Sequence, residues 1–281
     1  MFSVTQIIRY VKQPYGGFIR YKDMEKIKLE DGVILNEHEN VHGSIIGMSV
    51  DYLTRFIMGA EGVDAFHYSL NGAFYAGLEG MDNAYDIAFD FLEDIKGLDD
   101  KSIVSACKLV TFDVWYRNPI AAMYSKDYSE TEPDNDTIQN IRILVNRSLT
   151  FFEKFGPIVK SDFNFNPEVE NKELYNHMME TGKGTYGGYT SFVSKGDGDF
   201  LTDDTMWEFK VTQTKPNSKQ TMQLLMYWIM GLHSNQWIYK NIKKLGIFNP
   251  RHNAVYLYHI GKVPLEYIRF IEDKVIRYDY S

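Results

Sequence analysis

Cysteine is almost missing from this chain of 281 residues, with Cys107 standing alone. One thiol excludes an intramolecular disulfide framework and any cysteine-rich zinc site. Long apolar runs are also missing, because no stretch reaches the ~18 residues that a membrane span needs. The opening Met1-Phe2-Ser3-Val4-Thr5-Gln6 has neither the basic segment nor the apolar run of a secretory leader. Positive charge is in deficit: 30 Lys and Arg face 38 Asp and Glu, a net charge of −8 that argues against a uniformly basic nucleic-acid coat. These absences lead us to expect a soluble, cytoplasmic protein with no membrane partner. What is present is core material, since 44% of residues are hydrophobic, with 20 Tyr and 18 Phe, and this rules out disordered composition.

Charge is unevenly distributed. From Lys183 to Ser281 there are 13 basic and 9 acidic residues, a net of +4, so the rest of the chain carries −12. Local field governs phosphate binding more than the total does. The secondary-structure pattern changes at the same place. Residues 2–28 alternate loosely around Gly16-Gly17. Helical spacing starts near His42, with Ile45, Ile46, Met48, Leu53 and Phe56 on one side. Val63 to Tyr124 reads as mostly helical with breaks at Gly80 and Gly97, and Tyr85, Ala88, Phe89 and Leu92 form an apolar stripe. After a polar loop at Tyr128 to Asp136, Thr137 to Phe155 reads as a helix stopped by Gly156-Pro157. Asp162 to Glu180 gives no clear signal.

Beyond Gly182 the residues are those of strands and tight turns. Ser218 to Gly231 predicts a buried helix, with Ser218 as cap and Gly231 as stop. Strands are expected at Lys244 to Phe248 and Ala254 to Ile260 around an Asn249 to Asn253 turn, and a last helix at Val263 to Tyr278 with Pro264 in its first turn. The expected architecture is α/β (α+β), with a mainly helical N-terminal region over 1–156 and a mixed-sheet core over 157–281.

One stretch carries chemistry. In Asp197-Gly198-Asp199-Phe200-Leu201-Thr202-Asp203-Asp204-Thr205-Met206-Trp207-Glu208-Phe209-Lys210, Asp203-Asp204 predicts a two-residue hairpin turn. Phe200 then faces Trp207, Asp199 faces Glu208, and Asp197 faces Lys210. Alternation places Asp197, Asp199, Glu208 and Lys210 on one face and Phe200, Trp207 and Phe209 on the other. Opposed Cβ atoms lie ~4.5–5.5 Å apart, so two ionised carboxylates there repel unless something offsets them. A hard divalent cation does so, and metal plus lysine suits phosphodiester hydrolysis. An acidic surface hairpin with one salt bridge is the plain alternative.

Asp199 followed by Glu208-Phe209-Lys210 resembles the core signature of the PD-(D/E)XK nuclease superfamily. Gln223-Leu224-Leu225-Met226-Tyr227 is similar to the Q-x-x-x-Y element of its RecB-like branch. The resemblance covers about Gly182 to Ile260. It implies a restriction-endonuclease-like mixed sheet flanked by helices, dependence on Mg²⁺ or Mn²⁺, and cleavage of nucleic acid, with DNA the expected substrate. It also implies Asp199, Glu208 and the Phe209 carbonyl as metal ligands, Lys210 as catalytic lysine, and Gln223 and Tyr227 as the supporting pair. Gly198 stands where the family usually has proline. An upstream helix, here Gly43 to Phe56, is expected to bring Asp51 and Arg55 to the metal or to pair them on its surface. A catalytically inactive nucleic-acid-binding module on the same fold is the alternative function, and the acidic helical half is a candidate surface for a protein partner.

His38-Glu39-Asn40-Val41-His42 fits H-E-x-x-H, which on a helix gathers two imidazoles around zinc, as in metalloproteases, with a third ligand sought at Glu61, Asp64 or His67. Asn40 and Gly43 disfavour that helix. Cys107 is expected in the core. Arg251 and His252 are expected to face solvent or touch phosphate. Lys215, Lys219, Lys243 and Lys244 are expected as a basic rim. Tyr186-Gly187-Gly188-Tyr189 is a candidate for stacking on unpaired bases, or an ordinary strand with a bulge.

Overall fold

Apolar residues at helical spacing build the first half of the chain, and short runs rich in Thr, Phe and Tyr build the sheet. The computed structural model describes residues 1–166, 187–234 and 236–278. It begins with strand β1 (Phe2–Ser3), helix α1 (Val4–Ile7) and strand β2 (Glu25–Lys28). Helices α2 (Gly43–Ile57), α3 (Gly62–Ala65), α4 (His67–Leu78), α5 (Ala84–Asp94), α6 (Asp100–Leu109), α7 (Asp113–Arg117), α8 (Pro119–Ala122) and α9 (Asn135–Phe155) follow. The remainder is β3 (Lys160–Ser161), β4 (Val193–Lys195), β5 (Phe200–Leu201), β6 (Thr205–Phe209), α10 (Ser218–His233), β7 (Lys244–Asn249), β8 (Ala254–His259) and α11 (Leu265–Phe270). A wider π-type segment, Ile271–Ile276, continues α11.

Six strands form one mixed sheet in the order β2-β8-β7-β6-β5-β3. Among the described residues only β6 and β7 run parallel in it, because α10 carries the chain back between them. Helix α10 is buried along Met222 to Met230, as an all-round apolar sequence requires, and packs with Leu201, Met206, Leu245 and Ile247 on one sheet face. Phe200, Trp207 and Phe248 point the other way, onto Phe151 of α9. The Phe151 and Phe248 rings stack with centroids 4.1 Å apart. Gly246 makes room for this layer, since a Cβ there would sit 2.3 Å from the Trp207 ring. The sheet is thus sandwiched between α10 and α9. By alternation, Asp199, Glu208 and Lys210 fall on the α10 side.

Helices α2, α4, α6 and α9 gather a second core that includes Cys107, as expected of a lone buried thiol, and burial pushes its pKa up to about 12. Phe209 and Val211 reach this core, so the Glu208-Phe209-Lys210 segment lies at the seam between sheet and helices.

Several expectations are corrected. The boundary at residue 156 does not separate helices from sheet: β2 pairs with β8, and Val4, Ile7 and Ile8 pack under α10. A four-residue strand of sequence Glu-Lys-Ile-Lys carries too little pattern to name its partner. The cap of α10 is Asn217, in a reciprocal box with Gln220, not Ser218. Gly231 does not stop α10; it admits the Tyr239 ring, 2.6 Å from where a Cβ would lie. Tyr189 is fully buried in the sheet core and has no face to offer a base, while Tyr186 lies outside the described residues.

The H-E-x-x-H segment is loop, not helix, with His42 capping α2. The two imidazoles therefore do not share a helical face, which the zinc reading requires. Glu39 instead holds Arg251 through two bonds of 2.9 and 2.8 Å and accepts from Asn140, tying the helices to the β7–β8 turn. Arg251 is buried there rather than facing solvent. His252 is held by Gln213 and Tyr256. Removing one partner of such a pair leaves the other buried and uncompensated. We expect Glu39→Ala to cost about 3–5 kcal/mol in urea unfolding. A loss within the error of the fit would show that the pair does not join the two halves.

Candidate functional site

The hairpin sets the site. Phe200 pairs with Trp207 and Leu201 with Met206, as predicted, and the Thr202 N–H donates to the Thr205 carbonyl at 3.0 Å to close the turn. Away from the turn the two strands part. The Asp199 side chain, not a backbone carbonyl, accepts the Phe209 N–H at 2.5 Å, and the Asp199 carbonyl accepts the Asp162 N–H at 2.7 Å. The expected Asp197–Lys210 pairing is not made, because Asp197 bridges Asn164 and the Lys210 N–H donates to the Phe248 carbonyl. The parting strands open a cavity of about 330 Å³ lined by Asp197, Asp199, Glu208, Lys210, Gln223 and Tyr227. Every side chain that the sequence nominated for catalysis converges there.

At its centre is an acid pair, Asp199 and Glu208, with Lys210 ion-paired to Glu208. Glu208 is 1% exposed, and its Oε1 is ion-paired with Lys210 Nζ. Its Oε2 is buried without a hydrogen-bond partner. Burial, then the Glu208 charge, pushes the Asp199 carboxyl well above the ordinary carboxylate range. Burial pulls Lys210 down, but Glu208 and Asp199 outweigh it, so its ammonium holds its proton more tightly than a free lysine. Lys210 is therefore a fixed cation here, suited to stabilising negative charge rather than to taking a proton. Burial also raises Asp197, partly offset by Arg117 and Lys195.

Helix α10 fastens the acid-bearing strand. Gln223 Nε2 donates to the Tyr227 hydroxyl at 3.0 Å, which donates to the Asp197 carbonyl at 2.6 Å. One helical turn separates the two residues, so both tips aim at the same strand. Gly198 has a local cause: a Cβ there would sit 2.0 Å from the Phe163 ring. Proline, like any side chain, is excluded at that position.

The helical half supplies the opposite wall. Arg55 of α2 binds Asp51 at 3.0 Å and Asp162 at 2.7 Å, so the pair predicted on this helix does line the cavity. Sequence reading missed Arg117, Tyr68, Asp162 and Lys195. Arg117 leans on Asp113 and on the Tyr52 hydroxyl at 3.2 Å, while Asp113 accepts from Tyr52 at 2.6 Å and Ser69 at 2.5 Å. An acid and a base four apart at 113 and 117 were visible, but such pairs decorate many helices and nothing in the spacing ties them to residue 199. The basic rim is not formed as expected. Lys244 pairs with Asp204 at the turn end of the hairpin, opposite Thr205, and Lys215 lies over the Tyr21 ring. None of Lys215, Lys219, Lys243 and Lys244 lines the cavity.

Among the described residues no group of three His, Cys, Asp or Glu side chains gathers as a ligand cluster. Two carboxylates are nevertheless enough for a cation that keeps several waters. The donor set fits: it is all hard oxygen, and Glu208 Oε2 is a buried acceptor with nothing to accept. Asp199, Glu208 and the Phe209 carbonyl are the residues that would hold the ion.

The raised Asp199 pKa carries a stability cost. Its folded pKa lies above its unfolded value, so this contribution is favourable at low pH and is lost as pH rises from the unfolded pKa through the folded one. We expect Asp199→Asn to remove that slope and to stabilise the metal-free protein at pH 8, by about 1.4 kcal/mol for each tenfold change in proton affinity relieved. Urea titrations from pH 5 to 9 test this, and parallel wild-type and variant curves would contradict it. Comparisons with protein-family models, curated proteins and solved structures give no match, so the reading of this site rests on its own chemistry.

Proposed function

We propose that this chain is a metal-dependent nuclease that hydrolyses phosphodiester bonds, with DNA as substrate, on a restriction-endonuclease-like core. The observation that carries the reading is the unpartnered Glu208 Oε2 beside Asp199, with Lys210 two residues on along the same face. A structural hairpin has no reason to set a buried glutamate against a half-buried aspartate and leave one oxygen empty, because each unmet buried acceptor costs about 1–3 kcal/mol or more. Bound there by Asp199, Glu208 and the Phe209 carbonyl, Mg²⁺ or Mn²⁺ supplies a more acidic water and neutralises charge on the phosphoryl oxygens.

The chain's own residues do the rest. Lys210 keeps an ammonium within the cavity, where charge accumulates on the phosphorus oxygens during in-line attack. Its ion pair with Glu208 holds it in place without a search over rotamers. Gln223 and Tyr227 fix the Asp197-Gly198-Asp199 strand, so the acids keep their spacing. Arg117 on the facing wall, its side chain 52% exposed, gives the polyanion a counter-charge beside the site. The order of Asp199, Glu208-Phe209-Lys210 and Gln223-x-x-x-Tyr227 along the chain supports the same reading.

The test is cleavage of linear, circular, single-stranded and RNA substrates with Mg²⁺ and with Mn²⁺. Cleavage is expected with metal and not with EDTA. Glu208→Gln and Lys210→Ala are each expected to lower the rate by about 10²-fold or more, as loss of one preorganised charge does elsewhere. Circular dichroism checks that both variants fold. Cleavage that survives in both folded variants, or no cleavage of any substrate by the wild type, overturns the proposal.

A further inference from the structure

A row of aromatic side chains leads away from the cavity across the helical half. The His67 ring lies against Tyr68, with ring centroids 3.8 Å apart and planes tilted by 41°, and Tyr68 lines the cavity. Tyr68 meets Tyr116 at 5.6 Å, Tyr116 meets Tyr75 at 6.0 Å, and Tyr75 meets Phe74 at 5.9 Å. The outer three are open to solvent: Tyr116 and Tyr75 are each 44% exposed and Phe74 is 54% exposed. Helices α4 and α7 present them side by side. A core aromatic would be covered, and an isolated surface aromatic would need no explanation. A contiguous exposed row that ends at a candidate active site does.

Charge along the row differs from its surroundings. The region before Lys183 carries a net −12, yet residues 65–78 and 114–126 contain no Asp or Glu, and the second stretch holds Arg117 and Lys126. Asp113, just before it, is buried beneath Arg117. Arg117 lies 4.6 Å from the Tyr68 ring centroid with its side chain 52% exposed, so a cation stands where the row enters the cavity. The two segments that carry the row thus add no carboxylate to it, and Asp162 and Asp197 come near only at its cavity end, beside Tyr68, which leaves the outer rings open to a polyanion.

We propose that this row is a stacking track for single-stranded DNA, which delivers an unpaired strand past Arg117 to the site at Glu208 and Lys210. The inference rests on the nuclease reading and specifies its substrate as single-stranded. Bases in a duplex stack on each other at a rise of about 3.4 Å and show no free face. An unpaired strand extends beyond that rise and lays successive bases on successive rings. Stacking is indifferent to sequence, because every base has a π face. The track therefore selects strandedness and not sequence.

The test separates this inference from catalysis by measuring binding in EDTA. Fluorescence anisotropy compares an oligothymidylate of about twenty nucleotides, longer than one stacking site needs, with a duplex of equal length. The wild type is expected to bind the single strand at least about tenfold more tightly. Tyr75→Ala combined with Tyr116→Ala is expected to lose about tenfold to a hundredfold of that affinity, while Tyr75→Phe with Tyr116→Phe keeps it. Thermal melting of the alanine pair checks that the exposed substitutions leave the fold intact. Equal affinity of the alanine pair and the wild type, a preference for duplex, or no binding of the single strand overturns the track. Single-strand binding that depends on Tyr75 and Tyr116 in a protein that cleaves nothing would sustain the track and sink the nuclease reading. Metal-dependent cleavage with unchanged affinity in the alanine pair would do the reverse.

Discussion

Two carboxylates that line one cavity, Asp199 and Glu208, with the Lys210 ammonium ion-paired to the second, set the terms for everything around them. Burial, and then the Glu208 charge, favours the neutral form of Asp199. Lys210 compensates one negative charge and leaves Glu208 Oε2 without a partner. A sheet built only for stability would place apolar residues there. Keeping the acids together costs stability, which the proposed divalent cation would recover on binding.

The surrounding fold holds that corner open. The β5–β6 hairpin closes tightly at Asp203-Asp204 and parts beyond Phe200 and Trp207, because the Asp199 side chain takes the Phe209 N–H that a regular ladder would give to a carbonyl. The Phe163 ring on Gly198 and the Tyr227 hydroxyl on the Asp197 carbonyl fix the departing strand. The Phe151, Trp207 and Phe248 layer makes the opposite face rigid. The helical half then closes the cavity with Asp51, Arg55 and Arg117, so neither half contains the whole site.

Much of this was readable from residues. A turn signal plus strict alternation fixed the β5–β6 register and the shared face of Asp199, Glu208 and Lys210. Four-residue spacing put Gln223 and Tyr227 together, and the all-round apolar run buried α10. These are local features, set by periods of 2 and 3.6 residues. Arg117, Tyr68 and Asp162 were not readable, because their meeting with Asp199 depends on how helices dock on a sheet far away in sequence. The same limit hid β2, a strand of four residues that belongs with β8, and Arg251, whose burial depends on Glu39. His38 to His42 misled for the opposite reason: a short motif matched while its helix did not form.

The most direct test of the account is where manganese sits. Crystals grown with Mn²⁺ should show an anomalous peak between Asp199 and Glu208, with Glu208 Oε2 among its ligands at a distance of about 2.1 Å, close to that of Mg²⁺. An anomalous map with no peak at that corner, or with manganese bound only at some other group of acids, would contradict it.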